Sequence, residues 1–239
     1  MAVGIARSSG AESRRQADRR GEGSMKIVVV GATGNVGARI VDAALAAGHQ
    51  VVAYVRRPEA MVPRKGLTVA QGDAVDVGAL AAAAAGADAV IVSITGSTKD
   101  ATFMQRTLPQ VIEAVKLAKA GRLVLVSAFG AGDTAELASG FARLIYRTVL
   151  GTFFGDKAAS DSLLMRSGVD YTIVYPVNLK AAPALPAASV KRLEHVGKVP
   201  GLPTLPFENV ATALVEIAGD KSLSGARVLV TTPKGWKPA

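Results

Sequence analysis

The sequence predicts an α/β fold, a doubly wound parallel sheet in one domain, and three observations carry that expectation. Apolar β-branched runs alternate with Ala-rich amphipathic stretches at short spacing, the signature of repeated βαβ units. The first apolar run, Ile27 to Val30, lacks polar alternation, as a central strand covered on both faces should. It leads directly into Gly31-Ala-Thr-Gly-Asn-Val-Gly37, a glycine-spaced turn that opens a helix.

Taken in order, strands are expected at 26–30, 50–55, 67–70, 88–93, 122–127 and 170–175, with a seventh near 226–230. Helices are expected at 35–47, 76–85, 101–119 and 207–219, with a broken one across 136–168. Right-handed crossovers then give the strand order 3-2-1-4-5-6-7, a Rossmann-type sheet with its ligand over the carboxyl ends of the strands. Pro183, Pro186, Pro200, Pro203 and Pro206 exclude a regular helix over 181–206. That stretch is expected as a loop, part of a small substrate-side segment (about 178–206) within a domain spanning 25–239. Residues 1–24 are rich in Arg, Ser and Gly and lack the apolar centre of a secretory signal, so they are expected to be a disordered extension. The first strand begins directly at Met25, which makes it a candidate start of the functional protein.

Composition narrows the classes. A chain that is 49% hydrophobic but only 5% aromatic suits an aliphatic sheet core and excludes disorder of the body. Cysteine is absent, which removes disulfides, thiol nucleophiles and Cys-ligated metals and fits a reducing, cytoplasmic setting. The two histidines, His49 and His195, stand far apart without carboxylates at ligand spacing, so no metal site is expected. No stretch reaches the roughly 18 apolar residues of a membrane span. The formal charge is +9, and residues 1–24 hold only five Arg against three acidic residues, so most of the excess lies on the body. No cluster of basic and aromatic residues accompanies it, which disfavours nucleic acid and favours an anionic, phosphorylated cofactor.

The residues that carry chemistry sit where strands are expected to end. Gly31 allows a tight turn, Gly34 allows the backbone to approach a pyrophosphate, and Gly37 allows the helix to pack on the strand. Thr33, Asn35 and Val36 complete that loop, and the unpaired amides of the helix start favour an anion. NAD sites place an acid about 20 residues past the glycines. Here that place holds Arg56 and Arg57, two guanidinium groups suited to a 2′-phosphate, so NADP (NADPH) is the expected cofactor, against the alternative of solvated surface arginines. After the third strand, Asp73 can accept from an adenine amino group while Ala74 lines the ring; a helix cap is the alternative for this acidic pair with Asp76. Ser93, Ile94 and Thr95 follow the fourth strand and Ser127 the fifth, setting small residues beside the expected ribose and nicotinamide.

With these motifs the chain resembles the atypical short-chain dehydrogenase/reductases of the NmrA-like and flavin reductase/biliverdin reductase B type. The resemblance spans Met25 to Val230 and is carried by Gly-Ala-Thr-Gly-Asn-Val-Gly (31–37), Arg-Arg (56–57), Gly-Asp (72–73) and Val-Ser-Ala-Phe-Gly-Ala-Gly (126–132). Asp-Lys-Ala-Ala-Ser-Asp-Ser-Leu-Leu (156–164), Ser-Gly-Val-Asp-Tyr-Thr-Ile-Val-Tyr-Pro (167–176) and Glu-Asn-Val-Ala (208–211) complete it. The resemblance implies that Lys157 lies beside the cofactor ribose, that Tyr175, Pro176, Val177 and Asn178 contact the nicotinamide, and that Ser127 sits near the reacting carbon. Ser127 and Lys157 are thus the candidate catalytic residues, with surface solvation the alternative for Lys157.

One departure matters. Short-chain reductases of ketones place a proton-donating Tyr four residues before the Lys, and this chain has Phe153 there. Tyr146 is eleven residues before Lys157, so a Tyr-Lys carbonyl reductase is disfavoured unless the fold brings in Tyr146, Tyr175 or His195. The expected activity is NADPH-dependent hydride transfer to a planar conjugated small molecule, a flavin, quinone or enone-like acceptor that can take its proton from water. The alternatives are an NmrA-like NADP-binding sensor without turnover and a redox-neutral tailoring enzyme that keeps the pocket. The expected partner is a small-molecule substrate, and the sequence carries no signal for oligomeric state.

Overall fold

The molecule is built on β1 (Lys26–Val30), whose side chains at Ile27, Val28 and Val29 are fully buried. In the computed structural model, residues 23–97, 100–148 and 150–239 are described. The expectation for the N-terminal extension therefore lies, up to residue 22, outside the described residues. After β1 come α1 (Asn35–Ala46), β2 (Gln50–Val55), β3 (Leu67–Gln71), α2 (Val77–Ala84), β4 (Ala89–Val92), α3 (Phe103–Ala118) and β5 (Arg122–Val126). The second half holds α4 (Gly140–Thr148), α5 (Gly151–Met165), β6 (Tyr171–Pro176), β7 (Asn178–Lys180), β8 (Ser189–Arg192), β9 (Val196–Lys198), β10 (Thr204–Pro206), α6 (Phe207–Gly219), β11 (Ala226–Thr231) and β12 (Lys237–Pro238).

The main sheet runs β3-β2-β1-β4-β5-β6-β11-β8. All neighbours from β3 to β11 are parallel, so the expected order 3-2-1-4-5-6-7 stands with β11 as the seventh strand. Such a sheet needs both faces covered. Helix α1 packs against α6, which also lies on β4, β5 and β6, while α2, α3 and α5 pack in a row. Gly121 shows how tightly β5 is seated: a Cβ there would lie 2.0 Å from the Asp88 carbonyl oxygen. The break within 136–168 falls between α4 and α5.

One expectation is corrected. The Pro-rich stretch is not simply a loop: β8 pairs antiparallel with β11 through Val228–Arg192 to Thr231–Ser189, β10 pairs with β7, and β9 pairs with β12. The prolines bound or end these pairings of two to four residues instead of interrupting a long ladder, a position in which a missing N–H does little harm. Because β7 begins two residues after β6, this segment is anchored at the carboxyl edge of the sheet, where the candidate site opens.

Candidate functional site

Turns at the carboxyl ends of β1 to β6 enclose a cavity of about 590 Å³, inside the about 300–1,000 Å³ typical of small-molecule sites. Gly31, Thr33, Gly34, Asn35 and Val36 line one end. Gly31 has φ +89°, which only glycine adopts without strain, and a Cβ on it would lie 2.5 Å from the Ser93 carbonyl oxygen. Gly34 precedes α1 in an extended conformation, and no side chain caps that helix. The first-turn amides of α1 are therefore unclaimed by a side chain, the arrangement that suits an anion. Gly37 does not line the cavity: its Cβ position is 2.0 Å from the Gly31 carbonyl oxygen, so its part is to let α1 close on the turn.

Arg56 and Arg57, exposed at the end of β2, line the same cavity together with Asp73 and Ala74 after β3. The Tyr54 hydroxyl donates to the Asp73 carbonyl oxygen at 2.9 Å and occupies the place where a Cβ on Gly72 would stand, which fixes this corner. The capping role belongs to Asp76, whose Oδ1 accepts from the Ala79 amide at 2.9 Å at the start of α2. Asp73 Oδ1 accepts from the Val75 amide at 3.2 Å.

Ser93, Ile94 and Thr95 after β4 and Ser127 after β5 form the middle of the cavity. Lys157 reaches it from α5 and is only 3% exposed, so the solvated alternative is excluded. Its ammonium donates to the carbonyl oxygens of Val126 at 3.0 Å and Ile94 at 3.4 Å, tying together the ends of β5 and β4. Burial pulls this ammonium down to about 8, against the opposing charges of Asp161 and Asp156. Four residues earlier on α5, Phe153 lines the cavity, and the Lys157 Nζ lies 5.9 Å from its ring centroid. Phe103, Phe154 and Leu179 extend this apolar wall.

Pro176, Val177 and Asn178 line the cavity, but Tyr175 does not. Strand alternation turns the Tyr175 side chain the other way, where it is fully buried and its hydroxyl accepts from Arg227 Nε at 3.1 Å. His195 is two-thirds exposed in the β8–β9 connection and lines no part of the cavity. Tyr146 is buried in an edge-to-face cluster with Phe129 and Phe154, and its hydroxyl is near Asn178. None of these three stands in the cavity as a donor.

Two buried carboxylates were not singled out from the sequence. Asp156 accepts from the backbone amides of Met104 at 2.9 Å and Gln105 at 3.1 Å, closing the start of α3. Asp161 accepts from the Ser127 hydroxyl at 2.9 Å. Its signal was its spacing, since Phe153, Lys157 and Asp161 recur every fourth residue and so share one face of α5. Among the described residues, no cluster of three or more His, Asp or Glu side chains could hold a metal ion. No helix there is long and apolar enough to cross a membrane.

The comparisons agree with this geometry. The family model described as NAD(P)H-binding matches residues 31–221. Sterol demethylase protein B of Methylococcus capsulatus is 30% identical over 230 residues, which cover 87% of this chain and 70% of that one. The uncharacterized sugar epimerase YhfK of Bacillus subtilis is 29% identical over 182 residues, 70% of this chain and 78% of that one. Among solved structures, the ChuY anaerobillin reductase of Escherichia coli O157:H7 superposes with a TM-score of 0.72 at 27% identity, covering 90% of this chain and all of that one. With a glycine turn at an uncapped helix start, a cavity over the strand ends and a family match across most of its length, this chain belongs to the NAD(P)H-binding family.

Proposed function

We propose that the protein is an NADPH-dependent reductase acting on a planar conjugated small molecule, of the flavin, quinone, enone or linear tetrapyrrole kind. The observation that carries this reading is Phe153, an aromatic ring in the cavity one helical turn before Lys157, where a ketone reductase would hold its donor phenol. Phe103, Phe153 and Leu179 offer apolar surface to a flat conjugated ring, an acceptor that requires positioning more than a strong side-chain acid.

In this reading the α1 amides and Gly34 hold the pyrophosphate, Arg56 and Arg57 meet the 2′-phosphate, and Asp73 and Ala74 flank the adenine. Lys157 and Ser127 stand by the ribose and nicotinamide, with Pro176, Val177 and Asn178 against the ring. The bound nicotinamide supplies hydride. The likeness to ChuY supports a tetrapyrrole among the acceptors.

The experiment is to mix the protein with NADPH and, in turn, a flavin, a quinone, an enone and a linear tetrapyrrole, and follow loss of NADPH absorbance. Turnover of one or more acceptors is expected. Tight NADPH binding without turnover of any of them would replace this reading with that of an NADP-binding sensor.

A further inference from the structure

Behind the cavity wall, Ser127 makes a contact that the binding of a cofactor does not require. Its Oγ, at the end of β5, donates to Asp161 Oδ2 at 2.9 Å. Asp161 is 3% exposed, and its second oxygen, Oδ1, is buried and makes no hydrogen bond of standard length and angle, although the Tyr175 hydroxyl faces the carboxyl. A carboxylate so sparsely hydrogen-bonded in a place of low dielectric is costly to keep charged, whereas the protonated acid gains a donor.

The groups facing Asp161 come from four elements. Lys157 stands one turn earlier on α5, with its ammonium held by the Val126 and Ile94 carbonyls. Ser127 faces it from the end of β5 and the Tyr175 hydroxyl from β6. Arg227 on β11 lies beyond Tyr175 and donates to Asp133 through Nη1 at 2.9 Å, so its charge is matched elsewhere. Burial pushes the Asp161 carboxyl up to about 6, against the pull of the Ser127 and Tyr175 hydroxyls and of the Lys157 and Arg227 charges.

We infer that Asp161 stores a proton that Ser127 passes to the substrate in the cavity, which makes Ser127 the proton-delivering residue and Asp161 the residue that positions and recharges it. This rests on the reductase reading. With Asp161 ionised, the Ser127 hydroxyl is turned back onto the carboxylate. With Asp161 protonated, its O–H donates to Ser127 Oγ and frees the serine proton to point into the cavity. The Ser127 O–H bond then breaks as its proton goes to the anionic site created on the substrate, and Oγ takes the Asp161 proton in the same movement. One proton leaves Asp161, which ends as a carboxylate, and serine is regenerated. A water in the emptied cavity returns the proton by the same path.

Two measurements on the full chain test this. The first is an infrared titration of the protonated-carboxyl band, comparing the unmodified protein with Asp161→Asn and Ser127→Ala. A band that disappears in Asp161→Asn, titrates near neutrality and shifts in frequency in Ser127→Ala is expected; absence of any Asp161-dependent band in mildly acidic solution overturns the store. The second is the pH profile of quinone and tetrapyrrole reduction at saturating NADPH. The rate should fall as pH rises through the Asp161 titration, and both variants should lose on the order of 100-fold in kcat together with that limb. A variant that keeps the rate and the limb overturns the relay while leaving the reductase reading intact. If no acceptor is reduced by the unmodified protein, the reductase reading fails and takes delivery to substrate with it, and the infrared titration still decides whether Asp161 holds a proton. Should Asp161→Asn not fold, Ser127→Ala, which deletes one oxygen at the cavity surface, carries both measurements.

Discussion

A Cβ built on Gly37 would stand 2.0 Å from the carbonyl oxygen of Gly31, so the end of β1 and the start of α1 meet through backbone alone. Gly34, between them, differs: its Cβ would meet only the Gly31 oxygen, at 3.3 Å, and it lines the cavity. The two glycines should therefore fail in different ways. Gly37→Ala should lower the melting temperature markedly, the overlap costing about 1–3 kcal/mol or more. Gly34→Val should melt close to the unmodified protein yet lose on the order of 100-fold in NADPH affinity, as amide contacts to a charged ligand are worth about 1.5–3 kcal/mol each. Thermal melts and titration calorimetry separate these outcomes.

The cofactor preference should rest on β2. Arg56 and Arg57 line the cavity at the end of β2, which carries no acid of its own. Loss of one guanidinium should cost NADPH binding about 1.5–3 kcal/mol with little effect on NADH, and Arg56→Ala with Arg57→Ala should erase the preference. Equal affinities for the two cofactors in the unmodified protein would contradict this.

Much of this layout was legible in the sequence because parallel strands and glycine turns leave local signatures. Ile27 to Val30 must be buried on both faces, and the spacing of Gly31, Gly34 and Gly37 reports a backbone that approaches itself and an anion. Contacts made through side-chain direction or distant pairing left weaker traces. Tyr175 sits within a motif read as touching the ring, yet strand alternation turns it into the core, and only its successors Pro176, Val177 and Asn178 reach the cavity. β8 owes its place to the exposed edge of β11, a partner 36 residues further along at Arg192–Val228 and 42 at Ser189–Thr231, and no local pattern announces such a pairing.

Neither His195 nor Tyr146 should be needed as an acid. His195 is exposed away from the site, and Tyr146 is held in the Phe129–Phe154 cluster behind it. His195→Gln should leave turnover unchanged. Tyr146→Phe should lower it by far less than the roughly 100-fold expected when a general acid is removed. Steady-state rates with a quinone decide this, and loss of activity in Tyr146→Phe alone would point to a carbonyl reductase with a relocated donor.

Asp161 should leave a mark on stability. Its carboxyl is raised by burial from 3.8 to about 6 in the folded protein, so the proton favours the folded state. That contribution is complete below the unfolded value and is lost as pH rises through about 6. Asp161→Asn, which cannot ionise, should therefore gain on the unmodified protein as pH rises from about 4 to about 7, by up to roughly 3 kcal/mol. Denaturant melts across that range, which stops short of the titration of Lys157 near 8, measure the difference. A gap independent of pH would show that Asp161 is ionised throughout.

Transfer of label tests the central claim most directly. NADPH carrying deuterium at the reactive carbon of its nicotinamide is incubated with the protein and an acceptor reduced at carbon, such as a linear tetrapyrrole, and the product is examined by mass spectrometry. A product one deuteron heavier, formed from one stereospecific label and not the other, is the predicted result for direct hydride transfer within the cavity. NADPH that binds but stays unconsumed, or an acceptor recovered unreduced and unlabelled across the whole panel, would contradict the reductase account.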